Sequence, residues 1–459
     1  MKSFLFSLAA KTGLFAIALG SGMLGYLLVH EGGGGKGTAS ATVPSVSPRA
    51  EIALDAEPHL LARVESPVDA AGDALGIFYI LQADGGMIRV APEVGGGHAA
   101  ATYAKLSDGR TEASGFSGLA LHPHFLLSEQ PGYGRFYILV SEKAGAKAVD
   151  FIPEFGGPGE HHQDVLYEYT VEDPLLTEFR GTRRELMRFR QPGPDHNVRG
   201  LAFDLQGFLH LGVGDGAAET LGKTSSSRNA SSLANAYGKV LRIDPLGSNS
   251  SNGQYGIPEG NPFRLVTDAL PELWAFGLRA PGSLAYDPFQ RGLCIAEEAR
   301  PGREEIKFSL HGAEHFGWDI VEDAGRLSRT DRARLAEVVT EPAAVLDGDT
   351  GTAGGFVYRG EHFPSLAGAL LFASRDGRLL SLRSGDADAP GRLAKVDLGR
   401  FGEQGFSALR QGPRGELIFL CGDGSVFEMR KGASLGTGAS AQRSLFCEAG
   451  SGVPKVTRL

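Results

Sequence analysis

The sequence predicts an all-β fold, a β-propeller, and three observations carry that prediction. The chain of 459 residues holds 66 Gly and 24 Pro against 5 Met, a balance that suits many turns and short elements. Beyond about residue 50 it reads as short apolar runs bounded by Gly, Asp and Pro, with almost no sustained helical period. Related phrases also recur: "GLALHP" from Gly118, "GLAFDLQGFLHLGVGD" from Gly200, "SLAYDPFQRGLCIAEE" from Ser283 and "ALRQGPRGELIFLCGD" from Ala408. Their matching leucines, Leu119, Leu201, Leu284 and Leu409, lie 82, 83 and 125 residues apart, which implies a repeat. Asp84-Gly85, Asp376-Gly377 and Asp423-Gly424 each separate two apolar runs, and Asp-Gly supplies the positive-φ positions of tight antiparallel hairpins. Repeated hairpins over some 400 residues suggest blades set around an axis, which protects sheet edges by radial closure. A long sandwich or a pair of β-domains would use the same strands, but the repeats spread evenly with no second linker.

The ends of the chain differ from its body. Residues 1–30 place Lys2 and Lys11 ahead of an uncharged run over residues 12–29, about long enough to cross a bilayer. Small-residue cleavage chemistry at Ala39-Ser40-Ala41 lies well beyond that run, which favours an uncleaved signal anchor over a removed signal peptide. Either reading exports the chain to the periplasmic side of a bacterial inner membrane, anchored there or, if cleaved, secreted. Residues 31–48 form a Gly/Ser/Pro tether, residues 49–432 the propeller and residues 433–459 a C-terminal tail. The net charge of −9 leaves no basic stripe for a phosphate backbone, which argues against nucleic acid as a partner. Cys294, Cys421 and Cys447 are too few and too dispersed for a disulfide framework; the first two read as buried strand residues.

The stretch "GPDHNVRGLAFD", residues 193–204, crowds Asp195, His196, Asn197 and Arg199 just ahead of an apolar run. Alone, such a cluster is explained as a polar loop. It occurs, however, in an ordered set: "GFSGLALHPHF", "DHNVRGLAFDLQGFLHLGVGDG", "GKVLRIDP", "YGIPEGNPF", "PELWAFGLRAPGSLAYDP", "EEIKFSLHGAEHFGWDIVED" and "GGFVYRGEHFP". Together these phrases resemble the soluble glucose/sorbosone dehydrogenases, six-bladed quinoproteins that use pyrroloquinoline quinone, over residues of about 60–430.

The resemblance implies roles for individual residues. His196 stands where the family places the base that removes a sugar hydroxyl proton, and a neutral imidazole suits that work near pH 7. Asp215, in "GVGDG", would orient it. Arg279, in "FGLRAP", would lie against the quinone and stabilise developing negative charge, and Arg359, in "GGFVYRG", would meet a cofactor carboxylate. Implied partners are an aldose or related polyol, a periplasmic electron acceptor and Ca²⁺ held partly by backbone carbonyls, with no ligand set fixed by the sequence.

Departures from the family pattern are equally legible. Ala280 follows Arg279 where the family writes Asn, Ala113 replaces a common Gln, and Val198 fills a glycine position and shifts the Arg to 199. Gly405 and Ser407 occupy the place of an Arg-x-Arg pair, and the calcium turn becomes "EEARPGREE". A trianionic cofactor would lose partners worth about 1.5–3 kcal/mol for each charged hydrogen bond. The alternative is therefore a cofactor-free propeller serving as an interaction or assembly module of a membrane complex; a propeller lactonase would need axial metal-binding carboxylates, and none stand out.

Other candidates have plainer readings. His122 and His124 suit a turn, His161 and His162 belong to an insertion over residues 143–163 expected to hang from a blade, and Trp274 and Trp318 suit packing between blades. Asn229-Ala230-Ser231 and Asn249-Ser250-Ser251 match the glycosylation pattern.

Overall fold

Runs such as Phe78-Tyr79-Ile80-Leu81 are apolar at every position, and all four side chains are buried. A strand with two apolar faces belongs between two layers, which is the situation of a strand inside a blade flanked by other blades. The structure, a computed structural model, describes residues 50–107, 113–155, 159–216, 228–300, 302–318, 338–347, 351–383, 392–397 and 405–432.

Two strands come first, β1 (Ala50–Ala53) and β2 (Ala56–Arg63). The first blade follows as β3 (Pro67–Gly72), β4 (Phe78–Gln82), β5 (Gly86–Pro92) and β6 (His98–Lys105). The second is β7 (Ala113–Leu121), β8 (Arg135–Lys143), β9 (His162–Val171) and β10 (Gly181–Gln191). The third is β11 (Val198–Phe203), β12 (Leu209–Val213), β13 (Lys239–Ile243) and β14 (Leu273–Phe276). The fourth is β15 (Pro281–Asp287), β16 (Gly292–Arg300), β17 (Arg303–Ser309) and β18 (Ala344–Asp347). The fifth is β19 (Thr352–Val357), β20 (Leu370–Ser374), β21 (Leu379–Arg383) and β22 (Arg392–Asp397), and the sixth begins with β23 (Phe406–Gln411), β24 (Leu417–Cys421) and β25 (Ser425–Lys431). Each blade is a four-stranded antiparallel meander, and the first strands β3, β7, β11, β15, β19 and β23 touch one another in cyclic order around the axis. The fold is a six-bladed β-propeller.

The sixth blade takes its outer strand from the other end of the chain. β2 pairs antiparallel with β25, with His59 opposite Glu428, while β1 adds in parallel to β22 as a fifth strand of the neighbouring blade. The recurring leucines of the sequence all fall on inner strands: Leu119 on β7, Leu201 on β11, Leu284 on β15 and Leu409 on β23. The step of 125 residues is longer because it passes over a whole blade, β19–β22. The three Asp-Gly pairs do turn antiparallel hairpins, but only the glycines take positive φ, at 88°, 88° and 85° for Gly85, Gly377 and Gly424. Each glycine N–H closes back on the carbonyl three residues earlier, as in a type I turn followed by a left-handed glycine.

Buried acids stitch neighbouring blades together. Asp69 of β3 accepts the Leu119 N–H of β7 at 3.0 Å and the Arg410 Nε of β23 at 2.7 Å, so one carboxylate ties three inner strands. Among the described residues no helix is long and apolar enough to cross a membrane. The expected anchor, the tether and the tail from residue 433 lie outside the described residues, as does Cys447. Cys294 and Cys421 are buried free thiols on β16 and β24.

Candidate active site

At the end of the ring where the inner strands begin, the chain approaching β11 takes an unusual path. His196 adopts φ 57°, a left-handed conformation that a non-glycine residue seldom holds. Its backbone passes so close to Gly214 that a Cβ there would lie 1.9 Å from the His196 carbonyl oxygen, so only glycine fits between β12 and Asp215. The close approach delivers the imidazole to the carboxylate. His196 Nδ1 lies 2.6 Å from Asp215 Oδ1, with Asp215 fully buried and the His196 side chain nearly so. Against a buried carboxylate, Nδ1 carries the proton and donates it. Nε2 then presents its lone pair, and it has no protein partner among the described residues.

Asp215 is fixed from every side. Its N–H donates to the Arg279 carbonyl at 2.8 Å, its carbonyl accepts from Asn229 Nδ2 at 3.1 Å, and its Oδ2 accepts from Trp318 Nε1 at 2.9 Å. Asn229 also clasps Phe155, accepting its N–H at 2.8 Å and donating to its carbonyl. The described part of the insertion over residues 143–163 is tied down: Phe151 stacks on Phe189 at 4.8 Å, and Phe155 is held by Asn229, which also bonds the Asp215 carbonyl. A buried Asn229 with both ends of its amide engaged is no glycosylation acceptor, which corrects the pattern match there.

Arg279 joins this group through its backbone and through Trp318. Its guanidinium lies 5.7 Å from the Trp318 ring centre and donates to the Glu298 carbonyl at 3.0 Å, with the Glu298 carboxylate at 3.6 Å. Its N–H donates to Glu297 Oε2 at 2.9 Å, and buried Lys307 pairs with the other Glu297 oxygen. His196, Asp215 and Arg279 are thus brought to one end of the propeller.

Arg359 is not. It follows the far end of β19, at the opposite end of the ring, and both of its bonding nitrogens go to Asp287 at the end of β15, at 3.0 and 2.5 Å. Its assignment to a cofactor carboxylate is corrected accordingly: Arg359 is an inter-blade ion pair resting on Phe289.

Two other arginines stand at the same end of the ring as His196. Arg199 at the start of β11 is solvent-exposed, and Arg375 in the turn after β20 is exposed too. Neither guanidinium has an ion-pair partner among the described residues. Confinement by the surrounding protein, followed by repulsion from Arg375, holds the Arg199 guanidinium below its ordinary pKa. Asp164 and Asp195 attract the Arg199 charge and Glu304 that of Arg375, but the two arginines still repel one another, and the carboxylates of pyrroloquinoline quinone would relieve that repulsion. In the sequence Arg199 stands out only as a shifted motif residue, Arg375 carries no local signal, and Trp318 suits packing. Among the described residues no three His, Cys, Asp or Glu side chains gather as a metal site. A calcium held by backbone carbonyls draws on other atoms.

The remaining histidines match turn and support duties. His122 Nδ1 accepts the His124 N–H at 3.0 Å, closing the turn after β7, and His162 lies 3.2 Å from Asp164, a carboxylate that also accepts the Val198 N–H of β11.

Six blades with a carboxylate-backed imidazole at the mouth define the chain as a propeller of the quinoprotein sugar-dehydrogenase type. The glucose/sorbosone dehydrogenase family profile matches residues 98–425, most of the chain, and the chain belongs to that family. Aldose sugar dehydrogenase YliI of Escherichia coli is 24% identical over 280 residues, covering 59% of this chain and 69% of that protein. HIPL1 protein of Arabidopsis thaliana is 24% identical over 307 residues, 57% of this chain and 43% of its own length, so the chain spans under half of that relative. Human Hedgehog-interacting protein is 27% identical over 280 residues, 59% of this chain and 34% of its length. Among solved structures, the apo form of the soluble E. coli aldose sugar dehydrogenase superposes with a TM-score of 0.58 at 19% identity, over 82% of this chain and 99% of the other. The pyrroloquinoline-quinone-bound aldose sugar dehydrogenase of Streptomyces coelicolor gives 0.54 at 18% identity, over 84% and 99%. At these identities the structural likeness is one of fold.

Proposed function

We propose that the protein is a quinoprotein dehydrogenase that oxidises an aldose or related polyol by base-assisted hydride transfer. The observation that carries this reading is the unpartnered Nε2 of His196, turned outward by the 2.6 Å contact of Nδ1 with buried Asp215. When bound, pyrroloquinoline quinone supplies the two-electron hydride acceptor. His196 Nε2 takes the proton of the sugar hydroxyl as the carbon–hydrogen bond weakens, and Asp215 stabilises the imidazolium that results. Trp318 and the Arg279 carbonyl keep Asp215 in place, so the imidazole does not need to reorient during the reaction. Arg199 and Arg375 would hold cofactor carboxylates, and Arg279 would lend positive charge on the side of Trp318. Electrons would leave to a periplasmic acceptor such as a cytochrome or quinone. The proposed setting is the periplasmic face of a bacterial inner membrane, resting on the sequence of residues 12–29.

A second reading, a cofactor-free interaction module, is favoured by the engagement of Arg279 with Glu298 and by the similarity to Hedgehog-interacting protein. Titrating the purified chain with pyrroloquinoline quinone and Ca²⁺ separates the two. The dehydrogenase reading expects a bound-chromophore spectrum and dye-linked sugar oxidation. It further expects His196→Ala to lower kcat about 10²–10⁴-fold with cofactor affinity kept. No binding at micromolar cofactor would leave the module.

A further inference from the structure

The link from the third blade to the fourth, residues 277–280, lies outside the strands of both, so its backbone groups must find other partners. Gly277 N–H donates to the Ala230 carbonyl at 2.9 Å and Leu278 N–H to the Gly238 carbonyl at 3.1 Å. For Arg279 the acceptor is a side chain: its N–H donates to Glu297 Oε2 at 2.9 Å. The carbonyl of the same residue accepts the Asp215 N–H at 2.8 Å, and Asp215 Oδ1 lies 2.6 Å from His196 Nδ1. A carboxylate on β16 of the fourth blade is therefore joined through one residue to the carboxylate that holds the imidazole of the third.

Glu297 is 0% exposed, and Lys307 of β17, 1% exposed, pairs with its other oxygen. Lys307 also meets Glu305 at 3.1 Å and lies 5.4 Å from the Phe316 ring centre. Burying an ion pair costs desolvation that its mutual attraction does little more than offset, so two apolar side chains of like volume would hold these strands together as well. An apolar pair could not accept the Arg279 N–H. The second support of Asp215 starts from the same place: Phe316 N–H donates to the Phe276 carbonyl and Trp318 N–H to the Gly277 carbonyl, both at 2.9 Å, which sets the indole that donates to Asp215 Oδ2.

We propose that Glu297, oriented by Lys307, is a positioning residue for the pair of Asp215 and His196. Its oxygen fixes the Arg279 peptide, that peptide fixes Asp215, and Asp215 holds the imidazole with Nε2 outward. The effect on turnover rests on the dehydrogenase reading; the effect on the geometry of the pair does not.

Two variants separate positioning from stability. Glu297→Gln keeps an oxygen for Arg279, and Lys307, whose ammonium burial already holds below its ordinary pKa, can shed its proton and accept from the new amide. Glu297→Leu combined with Lys307→Met removes both charges and the acceptor at similar volume. Low-field proton NMR of the cofactor-free chain follows the His196 Nδ1–H, identified by its loss in His196→Ala. The signal is expected to persist in Glu297→Gln and to disappear from the Leu/Met variant while circular dichroism shows that variant folded. With pyrroloquinoline quinone, Ca²⁺ and sugar, the Leu/Met variant should lose about tenfold or more in kcat with KM within about twofold, and Glu297→Gln should stay near the parent. The expected NMR pattern without any sugar oxidation in the parent would uphold the positioning and count against the dehydrogenase reading. A signal unchanged in the folded Leu/Met variant, or lost from Glu297→Gln, would overturn the proposal.

Discussion

Among single residues, what decides a role is which end of a strand the side chain occupies. His196, Asp215 and Arg279 precede or follow strands at the same end of the ring, whereas Arg359 lies past the far end of β19 although its phrase matches the family equally well. The contrast gives a paired prediction. Arg199→Ala should weaken pyrroloquinoline quinone binding about tenfold or more, by loss of a charged hydrogen bond, and leave the unliganded protein slightly more stable because repulsion from Arg375 is relieved. Arg359→Ala should leave cofactor affinity unchanged and cost stability by stranding the buried Asp287 carboxylate, by about 1–3 kcal/mol in urea unfolding. The expected roles of His196 and Asp215 rested on the likeness of their phrases to the family, and the structure sets the two side chains 2.6 Å apart. The bond from Trp318 was not legible, since that residue reaches Asp215 from 103 residues downstream by way of a loop that runs beside β14.

Strands and hairpins were more legible than side-chain partners because each repeats. The recurring leucine phrase marks inner strands and the Asp-Gly pairs mark hairpins between the second and third strands of three blades, two local signals with a steric cause. The pairing of β2 with β25 had no such signal, because hydrogen-bond partners far apart in the chain leave no mark on local composition. Leu61 sits in that strand, buried against the core shared by the first and sixth blades. Leu61→Ala should cost about 2–5 kcal/mol and increase hydrogen exchange in β25 before it does so in the third blade. Uniform loss of protection across all blades would show instead that the ring opens as one unit.

For the molecule as a whole, two buried histidines work against stability in acid, opposed in part by Glu304, whose carboxyl burial raises to about 6. Burial, helped in one case by the neighbouring His124 and Arg135, lowers His122 and His210 to about 4 from an ordinary value near 6.5. The unfolded chain therefore binds protons between about pH 6.5 and 4 that the folded chain refuses, and stability falls as pH drops through that window. Each histidine contributes on the order of 3 kcal/mol to the fall. Stability measured from pH 7 to 4 should decline, and His210→Phe should flatten the decline.

The closure of the ring by β2 has a consequence for biosynthesis. The strand is made early, and its partner leaves the ribosome only after about 20 to 70 s of further elongation. During that interval Leu60 and Leu61 lie on a strand with no sheet to join, and the first blade has no sixth blade to lean on. A nascent chain in that state carries an unpaired apolar strand, and aggregation during synthesis is the hazard that this way of closing the ring brings with it.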